Sequence, residues 1–467
     1  MINRRFFLKL LASLPCLPII NLKADQLHLN MSRDIYGGLK NINFEPTGFF
    51  RTQHDGNRWW LVTPEGNAFI SFGINHYHSS WWAQDHNRDF WVDQFNAKEP
   101  NDINWNEGFK KEALNDLKRL GINTLGVHTD ASMLTEPPGE ALFPYVAKYT
   151  PLKLSHYLNP KKELYMDIFS ESFKKICDTT AKESVKPYAN DPMIIGFCMS
   201  DCPIFTDDEA RHFGSTTWPR QIRNMGGDSP GKKVYVDLLS KKYRRIKDFN
   251  TTYQTEFRSW DQLLNAKSWS EDTYPKNDQE KDDNQRFLFL CINEYYKRAK
   301  ESFKKYNPNH LFLGDKINGN TDGLDSVLKV TSRYTDLVNF QYYGDLQEHK
   351  TSMERWSKLK TFDQPILNGD SAFTVPTETM PNPYGPHYTS QKQRAAMTIQ
   401  YIKDSLIRKD YVGWHMCGII DTISTMPSKE LSQHQGLMTI KGEYYFEMEE
   451  AVMEISNNIY NYTTVNI

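Results

Sequence analysis

Two short apolar runs each end in an aspartate. Ile194-Ile195-Gly196-Phe197-Cys198-Met199-Ser200 leads into Asp201, Cys202 and Pro203, and Pro365-Ile366-Leu367-Asn368-Gly369 leads into Asp370. A pair of carboxyl groups is what glycosidic cleavage needs: one protonates the leaving oxygen, and the other attacks the sugar or activates a water. Asp201 and Asp370, with Asp315 at a further strand end, are carboxylates that could supply such a pair. Around them stand His76, His128, Asp130, Lys316, Gln341, Tyr343, Trp414 and His415, each at or near the end of another strand-like run. Tyr and Trp offer flat faces to sugar rings, while imidazole, amide and ammonium groups bond hydroxyls. This set is the candidate substrate subsite, and no metal or cofactor is expected.

Each residue also has a purely structural reading. Asp201 could cap the loop that follows, Asp370 could close a turn, and the histidines could be core groups bonded to backbone. His76, His78, His128 and Asp130 could bind a metal together, but no short ligand signature supports it. Cys202 could act as a nucleophile with a histidine, although Pro203 argues against a helix-activated thiolate. Glu378 is a carboxylate in reserve.

Chemistry of this kind needs a scaffold that brings many strand ends to one mouth. Strand patterns recur at Phe69–Asn75, Asn123–His128, Phe143–Ala147, Ile194–Asp201, His310–Asp315, Asp336–Gln341, Pro365–Asp370 and Tyr411–Met416, with helical patterns between most of them. In the helix predicted over Asn106–Leu120, Phe109, Ala113, Leu117 and Leu120 share a face and Gly121 closes the end. Eight strands alternating with helices imply an α/β fold, a (β/α)8 TIM barrel. Ahead of the barrel, Gly48–Gln53 and Arg58–Thr63 read as a β-hairpin around Asp55-Gly56-Asn57. A long insertion with helical and polar loop segments, 206–281, follows the fourth strand.

The chain has 467 residues, a net charge of −2 and no long basic run, which argues against nucleic acid as a partner. Aromatic residues make up 13%, a generous supply for sugar stacking as well as for the core. Arg4-Arg5-Phe6-Phe7-Leu8-Lys9 before an apolar run to Ile20 reads as an export signal, twin-arginine in style, with cleavage near Ala24. Lipid attachment at Cys16 is the weaker reading, because Pro15 precedes it. The expected layout is thus a signal over 1–24, an extension with the hairpin over 25–67, and the barrel over 68–467. No later segment is apolar enough to span a membrane. Cys177, Cys198, Cys202, Cys291 and Cys417 show no disulfide or zinc spacing and read as small buried apolar residues.

Several stretches resemble one family. Gly48-Phe49-Phe50-Arg51, Trp59-Trp60-Leu61-Val62-Thr63-Pro64-Glu65-Gly66 and Ser71-Phe72-Gly73-Ile74-Asn75-His76 look like the opening of β-agarase-like glycoside hydrolases. Asp191-Pro192-Met193-Ile194-Ile195-Gly196-Phe197 resembles their fourth strand and Asn307-Pro308-Asn309-His310-Leu311-Phe312-Leu313-Gly314-Asp315 their fifth. Gln364-Pro365-Ile366-Leu367 and Val412-Gly413-Trp414-His415 resemble the seventh and eighth. The resemblance implies a retaining barrel with catalytic glutamates on strands four and seven. Here Asp201-Cys202 stands where the family has Asn-Glu, and Asp370 stands where it has a glutamate nucleophile. The nucleophile role therefore passes to Asp370. The acid role falls to Asp201, one residue early, where alternation would turn the side chain away unless a bulge, or the end of the strand itself, lets it face the cleft.

The expected function is an exported glycoside hydrolase acting on a carbohydrate, which the resemblance narrows to a galactan of the agar or porphyran type. Each aspartate is roughly 1.5 Å shorter in reach than a glutamate. That pushes the pair toward the wider spacing of inverting enzymes, although retention remains the expectation. The rival reading, prompted by the missing strand-four glutamate, is a carbohydrate-binding barrel without turnover.

Overall fold

The computed structural model describes residues 32–129, 142–155, 164–270, 274–320, 324–358, 363–425 and 431–463. The expected export signal, Cys16 and Asp130 lie outside them. Eight parallel strands close into a barrel: β5 (Ser71–Asn75), β6 (Thr124–Leu125), β7 (Tyr145–Lys148), β8 (Ile194–Asp201), β9 (Leu311–Asn318), β10 (Val338–Gln341), β11 (Ile366–Ser371) and β12 (Tyr411–Cys417). All eight expected strands are present in the expected order. β12 pairs with β5, from Gly413 against Ser71 to Cys417 against Asn75, and this closes the cylinder.

The barrel interior is filled by Val127, Val146, Ile195, Leu313, Leu367 and Val412. Its lower end is sealed by a four-stranded antiparallel sheet of β1 (Leu39–Asn43), β4 (Asn67–Phe69), β3 (Trp59–Val62) and β2 (Arg51–His54). The expected hairpin is β2–β3. β1 was not expected, because its sequence Leu-Lys-Asn-Ile-Asn is polar and largely solvent-facing at a sheet edge. Phe50 and Phe69 meet edge to face at 5.4 Å and join the barrel interior.

Outside the strands lies the helical layer. Ile103–Leu120 is started by the Asp102 side chain, which accepts from Trp105 N, and stopped by Gly121 at φ +68°. The long helix Asp278–Tyr306 buries Phe287, Cys291, Tyr295, Ala299 and Phe303 against the sheet. All five described cysteines are buried and none forms a disulfide.

Between β8 and that long helix the described residues form five short helices, from Asp207–His212 to Trp260–Asn265. The first two, Asp207–His212 and Trp218–Arg223, stand where polar loops were expected. Thr206 and Glu209 form a reciprocal capping box, which starts the first of them beside the barrel mouth. After β12 a hairpin of β13 (Thr422–Thr425) and β14 (Leu431–His434) rises on the same side, also unexpected. No described helix is long and apolar enough to cross a membrane.

Candidate active site

A cavity of about 840 Å³ opens at the C-terminal ends of the barrel strands, where barrels of this kind present their chemistry. Its lining includes His76, His128, Asp201, Gln341, Tyr343 and Asp370. The structure thus brings six of the sequence candidates to one place.

Two irregularities aim the carboxylates. Along β8 the register against β9 slips between Cys198, opposite Gly314, and Asp201, opposite Lys316: three residues advance against two. Along β11 the register against β10 slips between Asn368 and Asp370. Asn368 consequently points outward and donates to the Tyr401 hydroxyl at 2.9 Å. Asp370, two residues on, points into the cavity. Unbroken alternation would put both on one face, so the bulge supplies the reversal. The same device answers the one-residue displacement of Asp201.

Lys316, fully buried, lies between the two. Its Nζ is 2.9 Å from Asp201 Oδ1 and 2.5 Å from Asp370 Oδ2. Laid end to end, these lengths cap the separation of the two oxygens at 5.4 Å. The wider spacing expected for two short side chains is therefore not what is found; the shared ammonium draws them together. His128 Nε2 bonds Asp201 Oδ2 at 2.8 Å, and His76 Nε2 lies 3.9 Å from Asp370 Oδ2. The two imidazoles stack at 4.7 Å, and Trp81 covers His76 at 4.6 Å.

Burial opposes ionisation of both aspartates, but the Lys316 charge, with His128 at Asp201 and His76 at Asp370, holds both well below the ordinary carboxylate range. Lys316 is buried too, yet its two anionic neighbours keep it charged far above neutrality. Burial lowers His76 to about 4, against the pull of Asp370. At neutral pH the floor therefore carries two carboxylates, one ammonium and a neutral His76.

The backbone is strained here. His76, His128 and Cys202 adopt positive φ of 56°, 60° and 49° just beyond strands β5, β6 and β8. Non-glycine residues in this region cost of order 1–3 kcal/mol each and concentrate at functional sites. Cys202 N donates to Lys316 O at 2.7 Å and His76 N to Val127 O at 3.2 Å, which pins two of the three turns.

Two nominated binding residues do not reach the cavity. Trp414 faces the helical layer, stacked on Phe72 at 6.0 Å, with its indole N–H on Ser371 Oγ. His415 points inside the barrel but below the floor, where its Nε2 meets Ser71 Oγ at 2.8 Å. Side chains alternate along a strand, and the closing position of β12 toward the cavity is Cys417. Asp315, where the fifth strand was expected to end, lies inside β9, faces outward and accepts from Ser200 N at 2.8 Å; burial raises it to about 7. Lys316 is present, but as the partner of both acids.

Sequence reasoning missed His434, Tyr384 and the Asp208–Glu209–His212 wall, all of which line the cavity. His434 comes from the unexpected hairpin and had no local signal. The helix wall did have one, the Thr206-to-Glu209 capping pattern. Trp81 was readable only as a residue following strand one.

Comparisons with known proteins bear on the barrel that carries this site. A glycoside hydrolase 42 family model, described as Beta-galactosidase, matches residues 159–389. Beta-agarase B of Vibrio sp. (strain JT0107) is 22% identical, over 92% of this chain and 50% of its own length. The chain therefore spans about half the length of the curated relatives it matches. An exo-beta-agarase structure superposes with a TM-score of 0.74 at 18% identity, covering 93% of this chain and 68% of the other. A second agarase structure gives 0.71 at 19%, covering 92% and 68%. In fold, over some nine-tenths of its length, the chain is a (β/α)8 barrel similar to those of the agarase structures, and in sequence it is similar to β-agarases.

Proposed function

We propose that this protein is an exported glycoside hydrolase that cleaves a galactan of the agar class, with Asp370 as nucleophile and Asp201 in the acid/base role. The observation that carries this reading is the clamp: two carboxylate oxygens held within 5.4 Å across a cavity at the barrel mouth. Retaining enzymes hold their carboxyls about 5–5.5 Å apart and inverting ones about 6.5–9.5 Å apart, so retention is the stereochemical reading. Similarity to relatives named β-agarases supports the choice of sugar class.

In the first step an Asp370 oxygen forms a bond to the anomeric carbon as the glycosidic C–O bond breaks, and the leaving oxygen takes a proton. In the second, water attacks the glycosyl ester and gives up a proton. Asp201 by itself is a poor donor, because Lys316 keeps it ionised. The proton is therefore carried by Asp201 and His128 as a hydrogen-bonded pair, with the carboxylate orienting the ring. His76, Tyr343 and Gln341 position the sugar from the cavity wall, and Lys316 tunes both acids. Asp130, two residues after His128 in the sequence, keeps its place as a binding candidate.

The test is turnover on agarose, porphyran and plant galactans, with the anomer of the first product read by NMR. Asp370→Asn should lower kcat by roughly three orders of magnitude or more while sugar binding and folding persist. Near-normal turnover in that variant removes Asp370 from the reaction. His128→Ala should recover most activity on an aryl glycoside whose leaving group needs no proton; equal losses on both substrates count against the donor role. Mass spectrometry of the exported protein should find residues 1–24 removed.

A second reading, a sugar-binding barrel without turnover, is favoured by one observation: Lys316 fills the space between the acids and holds both ionised. It predicts saturable binding and no product after prolonged incubation.

A further inference from the structure

We infer that the cavity floor is also a thiolate-containing site for a transition-metal dication of the zinc type, built from His76, Asp370, Cys417 and His434. One candidate ligand atom from each of His76, Asp370 and Cys417 lies within 4.8 Å of the other two. Cys417 ends β12 and is 3% exposed; its Sγ lies 3.2 Å from His434 Nδ1. The other ring nitrogen of His434 is engaged by Ser432 Oγ at 2.9 Å, an outer contact that fixes the imidazole with Nδ1 toward the sulfur. Asp370 is 3% exposed, and its Oδ1 is buried with no hydrogen bond of ordinary geometry among the described residues, the Tyr343 hydroxyl standing beside this carboxylate and the Cys417 sulfur. A buried carboxylate oxygen with an idle lone pair is what a cation would take up.

The donor set is specific. Two imidazoles, a sulfur and a carboxylate suit zinc and its divalent neighbours, and not magnesium or calcium, which prefer oxygen alone. Zn–N near 2.0 Å and Zn–S near 2.3 Å put tetrahedral donors roughly 3.3–3.7 Å apart. The floor thus has to close by about 1 Å, which His76 can supply by rotation, being only partly buried. On binding, the thiol becomes a metal-bound thiolate and its proton leaves to solvent. Lys316 is the opposing group, since its ammonium already bonds the other oxygen of Asp370. A bound dication would cap the acid assigned above as nucleophile, so under that reading the metal inhibits hydrolysis.

The full chain, treated with chelator and then titrated with Co2+ alone, should show one equivalent of binding with a sulfur-to-cobalt charge-transfer band that Zn2+ abolishes. Cys417→Ser should remove the band, and His434→Ala, on the partly exposed hairpin, should weaken binding about tenfold or more. Cys202→Ser should leave the band in place. Absence of the band in the unaltered protein, or its persistence in Cys417→Ser, overturns the site. The optical readout is independent of turnover. A band in a protein that hydrolyses nothing leaves the metal site standing and the hydrolase reading fallen; hydrolysis without a band does the reverse.

Discussion

Lys316 decides the electrostatics of the floor. A buried ammonium between two buried carboxylates is costly to desolvate, and the arrangement persists because each charge has a partner within 3 Å. Lys316→Met would leave two uncompensated anions and should cost about 3–5 kcal/mol at pH 7. The pH dependence has a definite sign. In the unaltered protein both aspartates titrate below their ordinary value, so their contribution is present above about pH 4 and is lost only as the pH falls further. Without the lysine, two like charges share one site, and at least one carboxyl rises above its ordinary value. The folded variant then takes up a proton that its unfolded chain does not, and its deficit shrinks as the pH is lowered from 7 to 5. Urea unfolding at both values checks this; an equal deficit at the two would mean that the carboxylates do not feel Lys316.

At the scale of elements, the bulges do the aiming. Gly369 sits in the slip of β11, and a Cβ there would lie 2.3 Å from Asn339 Oδ1, a buried side chain on β10. Its carbonyl also accepts from Asn75 Nδ2 at 2.7 Å, which ties the slip to β5. Gly369→Ala should cost about 1–3 kcal/mol through overpacking. It should also lower kcat on the proposed galactan substrate by about a hundredfold, because a displacement near 1 Å at the proposed nucleophile has that effect. A folded variant with unchanged kcat would show that Asp370 is aimed by something else. The cavity walls come from elements of weak local signal. The Asp207–His212 helix is too short for a hydrophobic period to announce it. The β13–β14 hairpin carries Ser and Thr on both faces, so no alternation marks it.

For the molecule as a whole, the N-terminal sheet is the stopper of the barrel. Arg58, 2% exposed, donates to the carbonyls of Leu406, Tyr411 and Thr463 and lies 4.6 Å over the Trp60 ring. One side chain thus ties the sheet, the start of β12 and the C-terminal segment together. Arg58→Ala would strand several buried carbonyls and should cost roughly 3 kcal/mol. Because these contacts lie at the end of the barrel opposite the cavity, kcat well below the melting temperature should not change. Calorimetry with kinetics on one preparation checks both halves; a fall in kcat without a fall in Tm would contradict the division between a lower end for stability and an upper end for chemistry.

The eight barrel strands, their order and the polar residues at their ends were legible in the chain itself, because buried parallel strands are continuous apolar runs and their ends are marked by abrupt polar residues. The candidate acids at Asp201 and Asp370 followed from those ends. Which way each end residue faces was not legible. Alternation fixes direction only relative to a register, and β8 and β11 both slip against their neighbours. Trp414 and Asp370 look alike as strand-end residues, yet one faces the helices and the other the cavity. Only pairing between strands far apart in sequence decided that, as it decided that Lys316 should lie between two acids 115 and 54 residues away. The charge state of the floor exists only once those three side chains are brought into contact and withdrawn from water.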